Sequence, residues 1–178
     1  LLARAAADGK AWRLGGVRAF INCSEPVTAG AIDQFVAGLA AYGVRRDQVI
    51  ASYAMAENLF AVTQNELGSP CVRSFVRSTL ETQGRAVPTA DTTADEIHLV
   101  SNGRSLATTT IEVRDNDGRA LPEGIVGQFY IAGSHRFDGY RRRADLTAES
   151  IDGRGFYATG DLGFVFDGEV YVTGRSKD

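Results

Sequence analysis

The sequence predicts an α/β fold followed by a β-rich region: the C-terminal part of a three-layer α/β subdomain over residues 1–68, then a small distorted antiparallel β-barrel subdomain within 69–178. Three observations predict it. The first third of the chain orders a strand, a helix and a strand, the signature of a parallel sheet covered by helices. After about residue 68 short β-prone runs alternate with turn chemistry. Within that region Asn116-Asp117-Gly118 and Asp167-Gly168 are hairpin signals, because glycine tolerates positive φ and Asn or Asp bonds its own backbone nearby.

Residues 1 to 9 are Ala-rich and read as the end of a helix, and the apolar run Val17 to Ile21 suits a buried strand. At Thr28, a candidate N-cap, the period changes. Ile32, Phe35, Val36, Leu39 and Ala40 recur at helical spacing up to Tyr42-Gly43, where glycine supplies the left-handed stop. Val49 to Tyr53 is the next strand. The later β-prone runs are Ile97 to Ser101, Thr108 to Arg114, Val126 to Ala132, Phe164 to Phe166 and Val170 to Thr173. No Pro/Ser-rich linker, repeat or low-complexity segment divides them.

The 178 residues carry 44% hydrophobic and 23% charged side chains with 20 glycines, the balance of a globular chain with many turns. A net charge of −3 argues against nucleic-acid binding, and Arg141-Arg142-Arg143 reads as a solvated turn. Cys23 and Cys71 lack metal-site or disulfide-framework spacing and read as small buried hydrophobes of a protein in the reducing cytoplasm. No apolar run reaches the length of a membrane span, and no signal-peptide layout opens the chain. His98 and His135 stand apart without ligand spacing, and Ser101 and Ser105 lack the setting of a hydrolase nucleophile. The absence of an initial Met and of a stop signal after Gly174-Arg175-Ser176-Lys177-Asp178 leads to the expectation of a piece of a longer protein.

Two stretches could carry chemistry. In Ile50-Ala51-Ser52-Tyr53-Ala54-Met55-Ala56-Glu57 a strand runs into small residues and then a carboxylate, and open α/β sheets bind ligands beyond the carboxyl ends of their strands. The Tyr53 ring offers a flat face for a base, and Glu57 could hold a hard cation such as Mg²⁺. The same spacing also suits ordinary core and surface positions. In Tyr157-Ala158-Thr159-Gly160-Asp161-Leu162-Gly163, a carboxylate in a glycine-flanked turn could accept both hydroxyls of a ribose, or simply cap the turn.

The order and spacing of four segments resemble the adenylate-forming superfamily of acyl-CoA synthetases, luciferases and nonribosomal-peptide adenylation domains. Phe20-Ile21-Asn22-Cys23-Ser24-Glu25-Pro26-Val27 looks like its adenine loop, and Tyr53 to Glu57 like its Tyr-Gly-x-x-Glu motif. Thr159 to Leu162 looks like Thr-Gly-Asp-Leu, and Gly174 to Asp178 like the Gly-Arg-x-Lys-Asp hinge. The interval between Glu57 and Asn102-Gly103-Arg104, with Val72-Arg73-Ser74-Phe75 and Gly84-Arg85-Ala86-Val87-Pro88, resembles the extra segment of fatty acyl-AMP ligases.

The resemblance implies that Ser24, Glu25 and Pro26 line the adenine, that Tyr53 stacks on it, and that Ala54, Met55 and Ala56 line the nucleotide. Glu57 would ligate Mg²⁺, Asp161 the ribose hydroxyls and Arg175 the ribose or phosphate, while Lys177 would sit at an interdomain hinge at the end of the β subdomain. Departures from the pattern are Cys23-Ser24 for Gly-Ala, Ala54 for Gly and Ala56 for Thr. The implied activity is an ATP-dependent, acid–AMP-forming ligase. It activates a carboxylic, chiefly fatty, acid as acyl-AMP and passes it to the thiol of an acyl carrier protein or polyketide synthase. Alternatives are an acyl-CoA synthetase of the same superfamily and a non-catalytic nucleotide-binding module. The family's phosphate loop and its C-terminal lysine are absent from the sequence, so the chain alone is expected to be inactive. Unpartnered strands near Val17 and Val49 are expected to favour self-association.

Overall fold

A computed structural model describes residues 12–68, 72–90 and 94–177, so the expected N-terminal helix, Cys71 and Asp178 lie outside the described residues. Strand β1 (Phe20–Asn22) runs parallel to β2 (Val49–Ala54), with Asn22 opposite Ala51. Between them helix α1 (Ala29–Leu39) starts where the Thr28 hydroxyl accepts a hydrogen bond from the Ala31 N–H at 3.2 Å. A single tight turn, Ala40–Tyr42, continues the helix and stops at Gly43, whose φ of 87° is the left-handed value expected there. The helix lays Ile32 on Val49, Ala51 and Val100, and Phe35 meets Phe20 edge to face at 5.3 Å.

The strand–helix–strand order is as expected, but the sheet then departs from a parallel one. Its order is β1-β2-β3-β6, and both β3 (Ala61–Gln64) and β6 (Arg104–Ser105) join antiparallel. The reason is the connection: residues 55–60 link β2 to β3, too few for the dozen or more of a parallel crossover. Strand β2 is therefore interior and Val49 is buried, so among the described strands of this sheet the unpaired apolar edge falls to β1, with Ile21 at its surface.

In the second part β4 (Val72–Val76) pairs antiparallel with β5 (Glu96–Val100), with helix α2 (Arg77–Gln83) between them in the chain. Strands β7 (Thr109–Arg114), β8 (Gly127–Gly133), β9 (Tyr157–Phe166) and β10 (Glu169–Arg175) form an antiparallel meander, and helix α3 (Ala144–Ser150) precedes β9. Asp167 and Gly168, with φ of 50° and 72°, make the two-residue turn from β9 to β10 that their sequence announces.

No closed barrel forms among the described residues. The outer edge of β10 is taken instead by the segment before β6: the Asn102 N–H donates to the Val170 carbonyl at 2.8 Å and the Val170 N–H to the Gly103 carbonyl at 2.9 Å. The Thr63 hydroxyl of β3 donates to the Asn102 carbonyl at 2.7 Å. Gly103, at φ 83°, lies so close to β3 that a Cβ would fall 2.0 Å from the Gln64 carbonyl carbon.

The largest buried cluster spans both sheets, joining Tyr53 and Val62 to Val113, Phe129, Ile131, Tyr157 and Val170. A second centres on Phe75, which meets Phe164, Phe166 and Tyr171 edge to face at 5.3 to 5.5 Å. On β7, Arg114 is buried with its guanidinium over the rings of Tyr130 and Phe156, and it pairs with Glu112 at 2.8 Å and Asp152 at 2.6 Å.

Candidate functional site

Because β1 and β2 are parallel with Asn22 beside Ala51, the loop after β1 and the loop after β2 leave the sheet at the same end. The first carries Ser24, Glu25 and Pro26, all exposed, with Ser24 at a φ of 72°. The second carries Ala54, Met55, Ala56 and Glu57; Met55 packs against the main core and the others are partly or fully exposed.

Tyr53 and Asp161, 108 positions apart, meet directly. The Tyr53 hydroxyl donates to Asp161 Oδ2 at 2.6 Å, and Arg175 Nε lies 3.1 Å from Asp161 Oδ1. Burial, followed by the neighbouring carboxylate, pushes the Tyr53 hydroxyl far above its ordinary pKa, so it is a permanent donor. The ring is only 7% exposed and packs on Phe129 at 5.6 Å, which limits the stacking area it presents to a base.

Asp161 is not in a turn. It lies inside the ten-residue strand β9, where the pairing with β8 shifts register between Gln128↔Leu162 and Tyr130↔Ala158 and so bulges residues 159–161. Gly160, at φ 77°, makes the local twist, and the Thr159 hydroxyl accepts the Asp161 N–H at 3.0 Å while donating to the Phe129 carbonyl at 3.0 Å. The carboxylate is thus set at a bulge on a rigid sheet.

Glu57 stands in a separate polar group. Its Oε1 accepts the Tyr140 hydroxyl at 3.3 Å, and Tyr140 is 3.0 Å from the Tyr157 hydroxyl. No basic side chain pairs with it among the described residues. Burial, the Tyr140 hydrogen bond and the Glu57 charge all raise the Tyr157 pKa well above normal. Nothing in the sequence singles out Tyr140, which is 83 positions from Glu57. Lys177 is exposed, and the structure brings neither it nor Ser24, Glu25 and Pro26 into hydrogen bonding with Tyr53, Asp161 or Glu57.

The chemistry of Glu57 fits Mg²⁺. Among the described residues no group of three or more His, Cys, Asp or Glu could cage a metal, and Mg²⁺ does not ask for one: it binds through one or two carboxylates and keeps waters and substrate phosphates. A half-buried carboxylate without a basic partner meets that need. The donor set around Asp161 suits a diol, since the carboxylate accepts and Arg175 balances its charge.

These strands, loops and motifs define the class: the chain belongs to the adenylate-forming superfamily, which includes acyl-CoA synthetases, fatty acyl-AMP ligases and nonribosomal-peptide adenylation domains. It is similar to the 4-hydroxyphenylalkanoate adenylyltransferase of Mycobacterium marinum, 32% identical over 93% of this chain and 28% of that protein. A medium-chain-fatty-acid–[acyl-carrier-protein] ligase of Moorena producens is 29% identical over 98% of this chain and 30% of its own length. Among solved structures, one from a study of fatty acyl-adenylate ligases of E. coli and L. pneumophila superposes with a TM-score of 0.85 at 32% identity, covering 93% of this chain and 30% of that one. The chain therefore spans under a third of the length of these relatives. No protein-family model matches it. No helix among the described residues is long and apolar enough to cross a membrane.

Proposed function

We propose that this chain forms the nucleotide-facing part of an ATP-dependent ligase that activates a carboxylic, chiefly fatty, acid as acyl-AMP and delivers it to a carrier-protein thiol. The observation that carries this reading is the convergence of Tyr53 and Arg175 on the Asp161 carboxylate, together with the Glu57 group just beyond the carboxyl end of β2. Residues 1–68 would complete the α/β adenylate-binding subdomain, and 69–178 would supply the extra segment and the β subdomain, with Lys177 at the hinge. Asp161 accepts the ribose hydroxyls, and Tyr53 and Arg175 hold that carboxylate in place. Ser24, Glu25 and Pro26 flank the adenine, Ala54, Met55 and Ala56 line the nucleotide, and the two small alanines let it approach the backbone.

In the reaction a carboxylate oxygen of the acid attacks the α-phosphorus in line. The new P–O bond forms as the bond to the bridging oxygen breaks, and pyrophosphate leaves. Mg²⁺ held at Glu57 would neutralise charge on the nucleotide phosphates. What this chain contributes is orientation, which together with charge stabilisation supplies the catalysis when no covalent intermediate with the protein is needed. The relative that acts on an acyl carrier protein supports carrier transfer, and β1's unpaired edge supports self-association of the isolated chain.

The test is acid-dependent exchange of labelled pyrophosphate into ATP by the natural full-length protein over a panel of carboxylic acids, alongside calorimetric nucleotide binding. Asp161→Ala should weaken ATP binding by about 1.5–3 kcal/mol, the scale of hydrogen bonds to a charged group. Unchanged affinity removes the ribose assignment, and no exchange with any acid removes the ligase reading.

A further inference from the structure

We infer that Tyr140 is a positioning residue for Glu57, aiming its carboxylate so that one oxygen is held by the protein and the other is left for a divalent cation; the inference rests on the reading of Glu57 as a cation ligand.

The loop between β8 and α3 grips Glu57 twice. The Phe137 N–H donates to the Glu57 carbonyl at 2.7 Å, and the Tyr140 hydroxyl reaches Oε1 at 3.3 Å. Proton accounting fixes the direction of the chain of hydroxyls. An ionised carboxylate only accepts, so Tyr140 donates its one proton to Glu57 and takes the Tyr157 proton on its own oxygen, 3.0 Å away. Tyr157 itself is buried in the main core, so this series is anchored in the sheet.

The loop is also held from behind. The Phe137 ring sits edge-on to Tyr140 at 4.9 Å and to Tyr157 at 5.3 Å. The Tyr140 N–H donates to the Thr147 hydroxyl of α3 at 2.9 Å, and that hydroxyl donates to the Arg143 carbonyl at 2.9 Å. Gly139 comes so near that a Cβ would lie 2.5 Å from Thr147 Cγ2. Packing on three sides thus fixes Tyr140.

Such control matters for a small hard ion. Mg²⁺ demands near-ideal octahedral geometry, and hydrogen bonds to ligating carboxylates typically account for 10- to 100-fold in metal affinity. The 3.3 Å contact places Tyr140 at the low end of that range.

The experiment titrates Mn²⁺, followed by electron paramagnetic resonance, into the natural full-length protein saturated with AMP. Wild type, Tyr140→Phe and Glu57→Gln are compared, with AMP affinity in EDTA and thermal melting as controls. Tyr140→Phe should weaken Mn²⁺ binding about 10-fold while AMP affinity without metal is unchanged, and Glu57→Gln should lose the Mn²⁺ site. Wild-type Mn²⁺ affinity in Tyr140→Phe with loss in Glu57→Gln overturns the positioning role and leaves Glu57 as ligand. Wild-type affinity in Glu57→Gln overturns the underlying reading. Should Tyr140→Phe fail to fold, Tyr157→Phe removes the donor behind it. That variant should weaken Mn²⁺ binding, by less than the roughly 10-fold expected of Tyr140→Phe, and unchanged affinity there overturns the inference.

Discussion

Replacing Tyr53 by Phe removes one oxygen and leaves the ring in place, which isolates the contact to Asp161. The hydroxyl donates to Oδ2 at 2.6 Å, a short distance characteristic of a charge-assisted bond. Hydrogen bonds to charged groups contribute about 1.5–3 kcal/mol. Asp161 keeps Arg175 at 3.1 Å and its side chain is 18% exposed, so water and the guanidinium recover part of the loss. The lower end, about 1.5 kcal/mol, is therefore expected. In a chain of 178 residues, at about 2–4 °C per kcal/mol, that lowers the Tm by about 3–6 °C. Calorimetric melting of the chain measures it, and Asp161→Asn and the double variant complete a thermodynamic cycle. A coupling of at least about 1 kcal/mol is expected between the two positions. Additive single effects, or a Tm within about 1 °C of wild type in Tyr53→Phe, would refute the argument that this hydroxyl holds the carboxylate.

Two further predictions concern the fold. Gly163→Ala should cost at least about 3 kcal/mol, because its Cβ would lie 2.1 Å from the Tyr171 carbonyl oxygen and 2.5 Å from Phe129 Cζ. The control Gly153→Ala, with nothing within 4 Å, should move the urea midpoint little, and equal shifts for the two would discard the packing explanation. Burial opposes ionisation of Asp152, but the Arg114 hydrogen bond and the Phe156 and Arg154 N–H groups outweigh it and hold its carboxyl below the usual range. A folded pKa below the unfolded one gives stability that is complete above the unfolded value, about 4, and is lost as pH falls through the folded value. Asp152→Asn should therefore lose less stability than wild type between about pH 6 and pH 3, and parallel loss in urea titrations would count against the Arg114 pairing.

Local signals are legible where a single interaction decides the conformation. Thr28 caps α1, Gly43 ends the turn after it, and Asp167-Gly168 closes β9 on β10, each through chemistry held within a few residues. The strand–helix–strand order identifies the parallel pair β1–β2, whereas β3, only Ala61–Gln64, carries no strand signal of its own and takes its direction from the short connection after β2. Gly160 and Gly163 punctuate the segment of Asp161 and give it the sequence signature of a turn. In the fold Gly160 serves the twist at the β8–β9 register shift, and Gly163 makes room for Phe129. Helices α2 and α3 leave no signal in the sequence: Arg77–Gln83 and Ala144–Ser150 are too short to repeat an apolar period. At the site, Tyr53, Glu57 and Asp161 were named by motif. The link of Tyr140 and Tyr157 to Glu57 is not legible in the sequence, since it exists only after β2, β9 and the β8–α3 loop have come together.

The contacts around Asn102 and Gly103 set how the molecule comes apart. Those two residues exchange backbone hydrogen bonds with Val170 on one side, while the Thr63 hydroxyl and the β6 ladder bind the same stretch to β3 on the other. Asn102 is buried, and the adjacent Ser101 hydroxyl accepts the Gly103 N–H at 2.9 Å, so the amides of both residues are hydrogen-bonded inside the fold. Where shared hydrogen bonds join two regions, they open as one cooperative unit. The slowest amide protons to exchange with solvent should then include Asn102 and Val170 together, at the free energy of whole-molecule unfolding, and a protease cut in this stretch would release both halves at once.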